Sequence, residues 1–225
     1  MKKITAFIGL MFSLLTVGRP LVIGTGIFLT SSAVMLTATE RANARDFDYY
    51  FDRGLSKYES EDYYGAIFNY TMAIEINPYN EAAYNNRGNA KYALEDYYGA
   101  ISDYDIAIEL DPEYSYAYHN RGLCKYFLED YYGSLSDYDI AIELDPEYAN
   151  AYLNRGVTKA ALDNYYGAIF DYTVAIQLDP RMVNAYRNRG NAKQNLGDMA
   201  GACDDWRKAS SLGDSDAAEW VWNEC

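Results

Sequence analysis

Nucleophilic catalysis in this chain of 225 residues would depend on its single histidine, His119, and on three cysteines, Cys124, Cys203 and Cys225. Cys124 follows His119 by five residues on one predicted helix, and at that spacing the two side chains point in different directions. No cysteine pair has C-x-x-C spacing, whereas a structural zinc site needs about four closely placed Cys or His ligands. We therefore predict a protein without catalytic residues, metal or other cofactors.

The segment DYDIAIELDPE, which starts at Asp103, is rich in the carboxylates that calcium prefers. It lacks the central glycine of an EF-hand loop and has apolar residues at ligand positions, so we do not predict a calcium site. We expect its acids on a solvated helix face instead. The net charge of the chain is −14, and such an acidic protein repels the phosphates of nucleic acids. Nucleic-acid binding is therefore excluded.

Amide side chains indicate a different kind of site. One asparagine recurs with a step of 34 residues, at Asn86, Asn120, Asn154 and Asn188. An amide donates and accepts hydrogen bonds at once, which suits the backbone of a bound peptide whatever its sequence. Two interpretations remain open: this row holds a peptide in a groove, or it joins neighbouring helices.

Positively charged side chains recur with the same step. They are Arg53, Arg87, Arg121, Arg155 and Arg189, each followed four residues later by a lysine. In one interpretation the stems pack and the charged heads pair with acids on the next helix, such as Asp103, Asp137 and Asp171. In the other, a basic row recognises an acidic peptide or a free carboxylate.

These residues belong to a repeat whose most visible phrase is EDYYGAI. It begins at Glu61 and Glu95, returns as EDYYGSL at Glu129 and as DNYYGAI at Asp163. Windows of 47–80, 81–114, 115–148, 149–182 and 183–216 each predict two helices. The Asp or Asn before the paired tyrosines is of a helix N-cap type. We expect the first tyrosine to pack inward and the second to be exposed.

Further positions recur in every window, or in four of the five. They are an aromatic residue (Tyr50, Tyr84, Tyr118, Tyr152, Tyr186), a glycine (Gly54, Gly88, Gly122, Gly156, Gly190), a small residue (Ala66, Ala100, Ser134, Ala168, Ala202), a second aromatic residue (Tyr70, Tyr104, Tyr138, Tyr172, Trp206) and a closing proline (Pro78, Pro112, Pro146, Pro180). This pattern resembles the tetratricopeptide repeat. The resemblance implies an all-α, right-handed superhelical solenoid of antiparallel helix pairs, over 45–225. A capping helix is expected at about 214–224, because a stacked array needs a polar-faced end.

In the tetratricopeptide family the first helices of the repeats line a concave face where peptides lie. The resemblance implies a peptide-binding groove formed by Asn85, Asn86, Asn89, Tyr92, His119, Asn120, Tyr126, Asn154, Arg187, Asn188 and Asn191. We accordingly predict a non-enzymatic interaction scaffold or assembly factor with a protein or peptide partner. Two alternatives remain: a structural envelope spacer without a specific ligand, and a subunit of an enzyme complex.

Residues 1–44 have a different character from the array. Lys2 and Lys3 precede apolar residues that extend, with a break at Arg19-Pro20, to Thr39, and the segment ends in Ala42-Asn43-Ala44. A basic start, an apolar centre and an Ala-x-Ala end are typical of an export signal, and the second apolar stretch is also long enough to anchor the chain. We expect residues 1–44 to be either a signal peptide that is cleaved after Ala44 or a membrane anchor that holds the chain through residues 4–39, in both cases with the repeat domain outside the cytoplasm. The alternative is a repeat domain on the cytoplasmic face of a membrane.

The cysteines bear on the same question. Cys203 lies about nine residues before the Leu212-Gly213 turn and Cys225 about twelve residues after it, so two antiparallel helices would bring them level. We predict a Cys203–Cys225 disulfide, which persists mainly in oxidising compartments. Cys124 has no partner within the array and is expected to be a buried free thiol. The alternative is that all three cysteines are small packing residues.

Overall fold

The computed structural model describes residues 31–225, with side chains from Ala44 onward except Arg45. This part of the chain is helical and contains no strand. Its helices are α1 (Ser31–Glu59), α2 (Tyr63–Ile76), α3 (Glu81–Ala93), α4 (Tyr97–Leu110), α5 (Ser115–Phe127), α6 (Tyr131–Leu144), α7 (Ala149–Ala161), α8 (Tyr165–Leu178), α9 (Val183–Asn195), α10 (Met199–Ser211) and α11 (Ser215–Glu224). They form successive antiparallel pairs, so the predicted all-α repeat architecture is confirmed.

The EDYYGA phrase forms the turn between the two helices of a pair. Its Asp or Asn is the N-cap of the second helix and accepts a hydrogen bond from the backbone N–H of the glycine three residues later. The residue before the cap has a left-handed backbone, with φ between 57° and 62° at Glu61, Glu95, Glu129 and Asp163. A Cβ atom added to Gly65 would lie 2.7 Å from the carboxyl carbon of Asp62. The glycine therefore leaves room for a cap that folds back over its own helix.

The tyrosines of that phrase divide as predicted. The first of each pair (Tyr63, Tyr97, Tyr131, Tyr165) is half-buried, whereas the second (Tyr64, Tyr98, Tyr132, Tyr166) keeps more than three quarters of its surface exposed. The exposed ring follows the buried one because adjacent helical residues point about 100° apart.

The two helices of a pair approach closely at the recurring glycines. The rings of Tyr70, Tyr104, Tyr138, Tyr172 and Trp206 are almost fully buried, and each lies over the glycine 16 residues before it. A Cβ atom on Gly88 would stand 2.6 Å from the ring of Tyr104. Alanines on both helices complete the core at zero exposure, among them Ala66, Ala83, Ala100 and Ala107. In every repeat, a large aromatic ring thus packs against a glycine, which has no side chain to obstruct it.

The first helices of neighbouring pairs also contact each other directly. These contacts join α3 to α5, α5 to α7 and α7 to α9, while comparable contacts between the second helices are absent from the described residues. Helices that touch on one side and separate on the other curve the array toward the touching side. Helices α3, α5, α7 and α9 therefore form the inner, concave layer.

Helix α1 is longer than the first helix of a repeat, because it begins at Ser31 rather than near Phe47. Residues 31–53 contain neither glycine nor proline, so nothing in the sequence stops the helix there. The predicted apolar segment, residues 4–39, lies largely outside the described residues. Within residues 31–225, no helix is both long enough and apolar enough to cross a membrane.

The C-terminal end is closed by α11, which packs on α10. Trp220 of α11 lies against Trp206 with ring centroids 5.4 Å apart, and Ala217 is fully buried beside them. The structure joins Cys203 and Cys225 in a disulfide, with their Cα atoms 5.8 Å apart. Cys124 is a buried free thiol, as predicted.

Candidate functional site

Asparagine and histidine side chains on α3, α5 and α7 form one hydrogen-bonded chain across the concave layer. Asn120 donates from Nδ2 to Asn85 Oδ1 at 3.1 Å and to Asn89 Oδ1 at 3.0 Å. Tyr104 OH also donates to Asn89 Oδ1, at 2.8 Å. We call Asn85, Asn86, Asn89, His119, Asn120 and Asn154 the amide network. It links three successive repeats through side chains rather than through the backbone.

His119 continues the amide network from α5 to α7. Its Nδ1 lies 3.1 Å from Asn120 Oδ1 and its Nε2 lies 2.9 Å from Asn154 Nδ2. A neutral imidazole protonated on Nδ1 satisfies both contacts, because Nδ1–H then donates to the amide oxygen and Nε2 accepts from the amide N–H. Burial lowers the pKa of His119, although the Asn120 contact opposes this. The ring is therefore held in its uncharged form.

The amide network supports one of the two interpretations of the recurring asparagines, namely that they join neighbouring helices. Asn120 and Asn154 do bond neighbouring helices, and both amide hydrogens of Asn120 are used in doing so. Asn154 Oδ1 accepts no hydrogen bond from the described residues, and Asn86 Nδ2 and Asn89 Nδ2 donate none to them. The network thus has one acceptor and two donor groups that the described residues leave unused.

Aromatic side chains crowd the groove where the first helices end. Phe127 stacks on Tyr97 with centroids 5.3 Å apart, and it also contacts Tyr92 and Tyr126. Tyr131 lies beside Tyr126. We call these aromatic residues the C-terminal rim: Tyr92, Tyr97, Tyr126, Phe127 and Tyr131. Burial raises the pKa of Tyr92 to about 12, so its phenol stays neutral. Phe127 remains 48% exposed.

Sequence reasoning missed Phe127. It is the last residue of α5, and the equivalent residues of the neighbouring repeats are Ala93 and Ala161. A search for recurring residues overlooks a residue that differs from its counterparts in the other repeats. The available signal was this departure, a large aromatic residue where two other repeats have alanine.

A second aromatic group lies where the first helices begin. Tyr116 contacts Tyr148 at 5.1 Å and Tyr114 at 6.0 Å between centroids, and Tyr148 also lies 4.8 Å from the ring of His119. We call Tyr114, Tyr116 and Tyr148 the N-terminal rim. Tyr116 is about half exposed. The amide network therefore lies between two aromatic surfaces.

The remaining predicted groove residues lie toward the C-terminal end. Arg187 on α9 pairs with Asp214 at 3.3 Å, at the start of the capping helix, and donates to Asn184. Asn191 Oδ1 accepts from the indole N–H of Trp206 at 2.9 Å. Asn188 makes no side-chain hydrogen bond with the described residues. These three side chains do not join the amide network.

Of the two interpretations of the arginines, the basic row for an acidic peptide does not hold for four of the five. Arg87, Arg121, Arg155 and Arg189 each hold an aspartate of the following helix by two hydrogen bonds, through Nε and a terminal nitrogen. The lysine four residues later pairs with the same aspartate at 2.7–2.8 Å. The interpretation that these heads pair with helix acids is confirmed.

The expectation that all acids of DYDIAIELDPE are solvated is also wrong for its first residue. Asp103 is 2% exposed, like Asp137 and Asp171 in the next repeats, whereas Asp105 is exposed. Residues two apart on a helix point about 200° apart, so one faces the arginine and the other faces water.

Residues 81–114 match the family model described as tetratricopeptide repeat. Comparison with curated protein sequences gives no significant match. Several solved structures have the same fold. MamA is 22% identical over 81% of this chain and 97% of its own, with a TM-score of 0.65. YrrB, described as a TPR protein with an unusual peptide-binding site, is 20% identical over 83% of this chain and 96% of its own, with a TM-score of 0.64.

A third solved structure is the first TPR of Spaghetti (RPAP3) bound to the HSP90 peptide SRMEEVD. It is 27% identical over 53% of this chain and 94% of its own, with a TM-score of 0.52. The glycine–aromatic contacts and capped turns of the matched repeat return in the helix pairs on both sides of it. Residues 81–114 are thus a tetratricopeptide repeat, within an array of helix pairs that has the fold of the tetratricopeptide-repeat structures.

Proposed function

We propose that this protein is a non-enzymatic interaction scaffold that binds a peptide segment of a partner protein in its concave groove. The observation that carries the proposal is the pair of aromatic rims on either side of the amide network, with Phe127 and Tyr116 about half exposed. Exposed rings beside unused amide groups are the two features that peptide binding requires: an apolar anchor and a partner for the backbone. YrrB, a TPR protein with an unusual peptide-binding site, and the first TPR of Spaghetti, bound to an HSP90 peptide, have related folds.

The chemistry of the groove favours an uncharged or basic segment that carries an aromatic or aliphatic anchor. The cations that would attract an acidic peptide are already paired with Asp103, Asp137, Asp171 and Asp205. A spacer without a ligand would account for the bonded asparagines but not for the exposed rims.

Selection of displayed random peptides on the full-length chain tests this proposal, with fluorescence anisotropy to measure the affinity of each selected peptide. Phe127→Ala should weaken binding by about tenfold or more, because truncation of a central aromatic anchor commonly costs at least 1–2 kcal/mol. The matched control is Phe170→Ala, which removes an exposed ring from the second helix of a repeat. Selected peptides that bind the Phe127 variant as well as the wild type would contradict groove binding.

We further propose that the repeat domain lies outside the cytoplasm, exported or anchored through residues 4–39. The support is the basic and apolar character of the first 44 residues together with the Cys203–Cys225 disulfide. Disulfides persist in oxidising compartments and are rare in reducing ones. The redox state of these two cysteines in intact cells tests this proposal.

A further inference from the structure

The first repeat breaks the ion-pair pattern of the other four. In those repeats the residue 16 positions after the arginine is an aspartate, as in Arg87–Asp103, where a terminal guanidinium nitrogen and a carboxylate oxygen lie 2.7 Å apart. The residue 16 positions after Arg53 is Asn69. Asn69 is buried and donates its Nδ2 to the carbonyl oxygen of Gly65 at 2.7 Å. It gives Arg53 no negative charge.

Within the described residues, no other acid takes the place of the missing aspartate. Lys57, which would share that aspartate, instead pairs with the cap Asp62 at 2.6 Å. Among the described residues, the only side-chain hydrogen bond of Arg53 is to the phenol oxygen of Tyr49, at 2.6 Å. Residues 1–45 contain one acid, Glu40, which precedes Arg53 by 13 residues; on a continuous helix the rise separates the two by about 20 Å.

The second carboxylate seen in the middle repeats is missing as well. Arg121 and Arg155 each receive one from the preceding repeat, Asp105 and Asp139, at 2.7 Å. Arg53 belongs to the first repeat of the array, so it has no such neighbour among the described residues. Among the five recurring arginines, Arg53 alone is exposed and pairs with no carboxylate of the described residues.

A cleft of about 410 Å³ opens at this guanidinium. The residues that line it are Tyr49, Tyr50, Arg53, Lys57, Asp62, Gly65, Phe68 and Asn69. Since Lys57 and Asp62 neutralise each other, Arg53 is left as the uncompensated charge. Arg53 points about 200° away on α1 from Phe51, the residue equivalent to Asn85 and His119 of the groove. The cleft is therefore a surface separate from the concave groove.

We propose that this cleft binds a carboxylate from outside the chain, which occupies the place that aspartate holds in the other repeats. The guanidinium fork matches a carboxylate through two parallel hydrogen bonds, and this is the arrangement that Nε and a terminal nitrogen of Arg87 make with Asp103. The rings of Tyr49, Tyr50 and Phe68 favour an acid that carries an apolar or aromatic group. The carboxylate comes either from a free organic acid or from an acidic side chain of a polypeptide.

Titration of the full-length protein with two probes tests the proposal and separates these sources. The probes are 4-phenylbutanoate, a free aromatic acid, and the capped peptide acetyl-Phe-Glu-amide, whose only carboxylate is a side chain. The readout is the NMR signal of the Arg53 side-chain Nε–H group, assigned by its loss in Arg53→Gln. Saturable shifts with either probe support the site, and the tighter probe identifies the source. A shift that does not saturate with either probe overturns it.

The repeat itself supplies the decisive variant, Asn69→Asp. It should restore the internal ion pair of Arg53 and weaken probe binding by tenfold or more, without removing any cleft residue other than the amide. Arg53→Gln changes an exposed side chain and should abolish the heat of probe binding in calorimetry, which covers the case in which Asn69→Asp does not fold. Arg207→Gln, an exposed arginine on α10, is the control and should leave the affinity unchanged. Equal affinity in wild type, Asn69→Asp and Arg53→Gln would refute the proposal.

Discussion

Asn120 uses both amide hydrogens and its oxygen inside the protein, and this decides what the residue does. Its N–H groups satisfy Asn85 and Asn89, and its oxygen faces the Nδ1 of His119. Asn188 stands at the same place of a later repeat without a hydrogen bond to the described residues. The same residue type at the same place thus has different roles in two repeats, because its neighbours differ.

Replacing Asn120 by alanine should lower the free energy of unfolding by about 1–3 kcal/mol, since it leaves the buried groups of Asn85 and His119 without partners. Asn188→Ala is the matched control and should change the free energy of unfolding by about 0.5 kcal/mol or less. Urea denaturation of both variants measures the difference. A stable Asn120 variant with the same midpoint as Asn188→Ala would show that the amide network contributes nothing to folding.

Residue spacing predicted which side chains recur but not what they touch. The caps and the inward and outward tyrosines follow from local geometry, which the sequence states directly. The partners of Asn120 lie 31 and 35 residues away, so they depend on the distance between helices of different repeats. Tyr138 shows the same dependence: its hydroxyl has no partner in the described structure, whereas Tyr104 bonds Asn89, because the residue equivalent to Asn89 is Leu123.

At the scale of the element, a buried ion-pair group joins the two helices of each of the last four repeats. Asp103 on α4 is 3% exposed in its side chain and is held by Arg87 and Lys91 of α3. The sequence indicated such pairs but also placed Asp103 among solvated acids. The two indications conflict only if all acids of the helix are assumed to have the same environment. Asp103 and Asp105 point in different directions on the helix, so one is buried and the other is exposed.

The two aspartates of α4 should respond differently to replacement. Asp103→Ala leaves two cations in a largely buried place and should reduce the free energy of unfolding by about 3 kcal/mol. Asp105→Ala removes one exposed partner of Arg121 and should cost at most about 1 kcal/mol. Thermal and urea denaturation measure both values. Equal destabilisation by the two variants would contradict the burial of Asp103 as the cause.

At the scale of the whole molecule, the array differs at its two ends. The C-terminal end is closed by α11, the tryptophan pair and the disulfide. At the first repeat Arg53 is exposed beside its cleft, without the aspartate that its counterparts hold. The repeat pattern predicted the helix pairs and their packing in the middle of the array, because every repeat there has a similar repeat on each side. The ends could not be predicted in the same way, since a terminal repeat meets something other than a copy of itself.

The disulfide at the closed end also tests the proposed location of the protein. In intact cells whose thiols are trapped by acid and then alkylated, Cys203 and Cys225 should be recovered as a cross-linked peptide pair, and Cys124 as a thiol that reacts only after denaturation, because it is buried. Closing a loop of this length stabilises a folded chain by about 3 kcal/mol in the chain-entropy model, so Cys225→Ser should lower the melting temperature under oxidising conditions. The wild type with reductant should melt like the variant, because both lack the same cross-link. Recovery of all three cysteines as alkylated thiols from intact cells would contradict a repeat domain outside the cytoplasm.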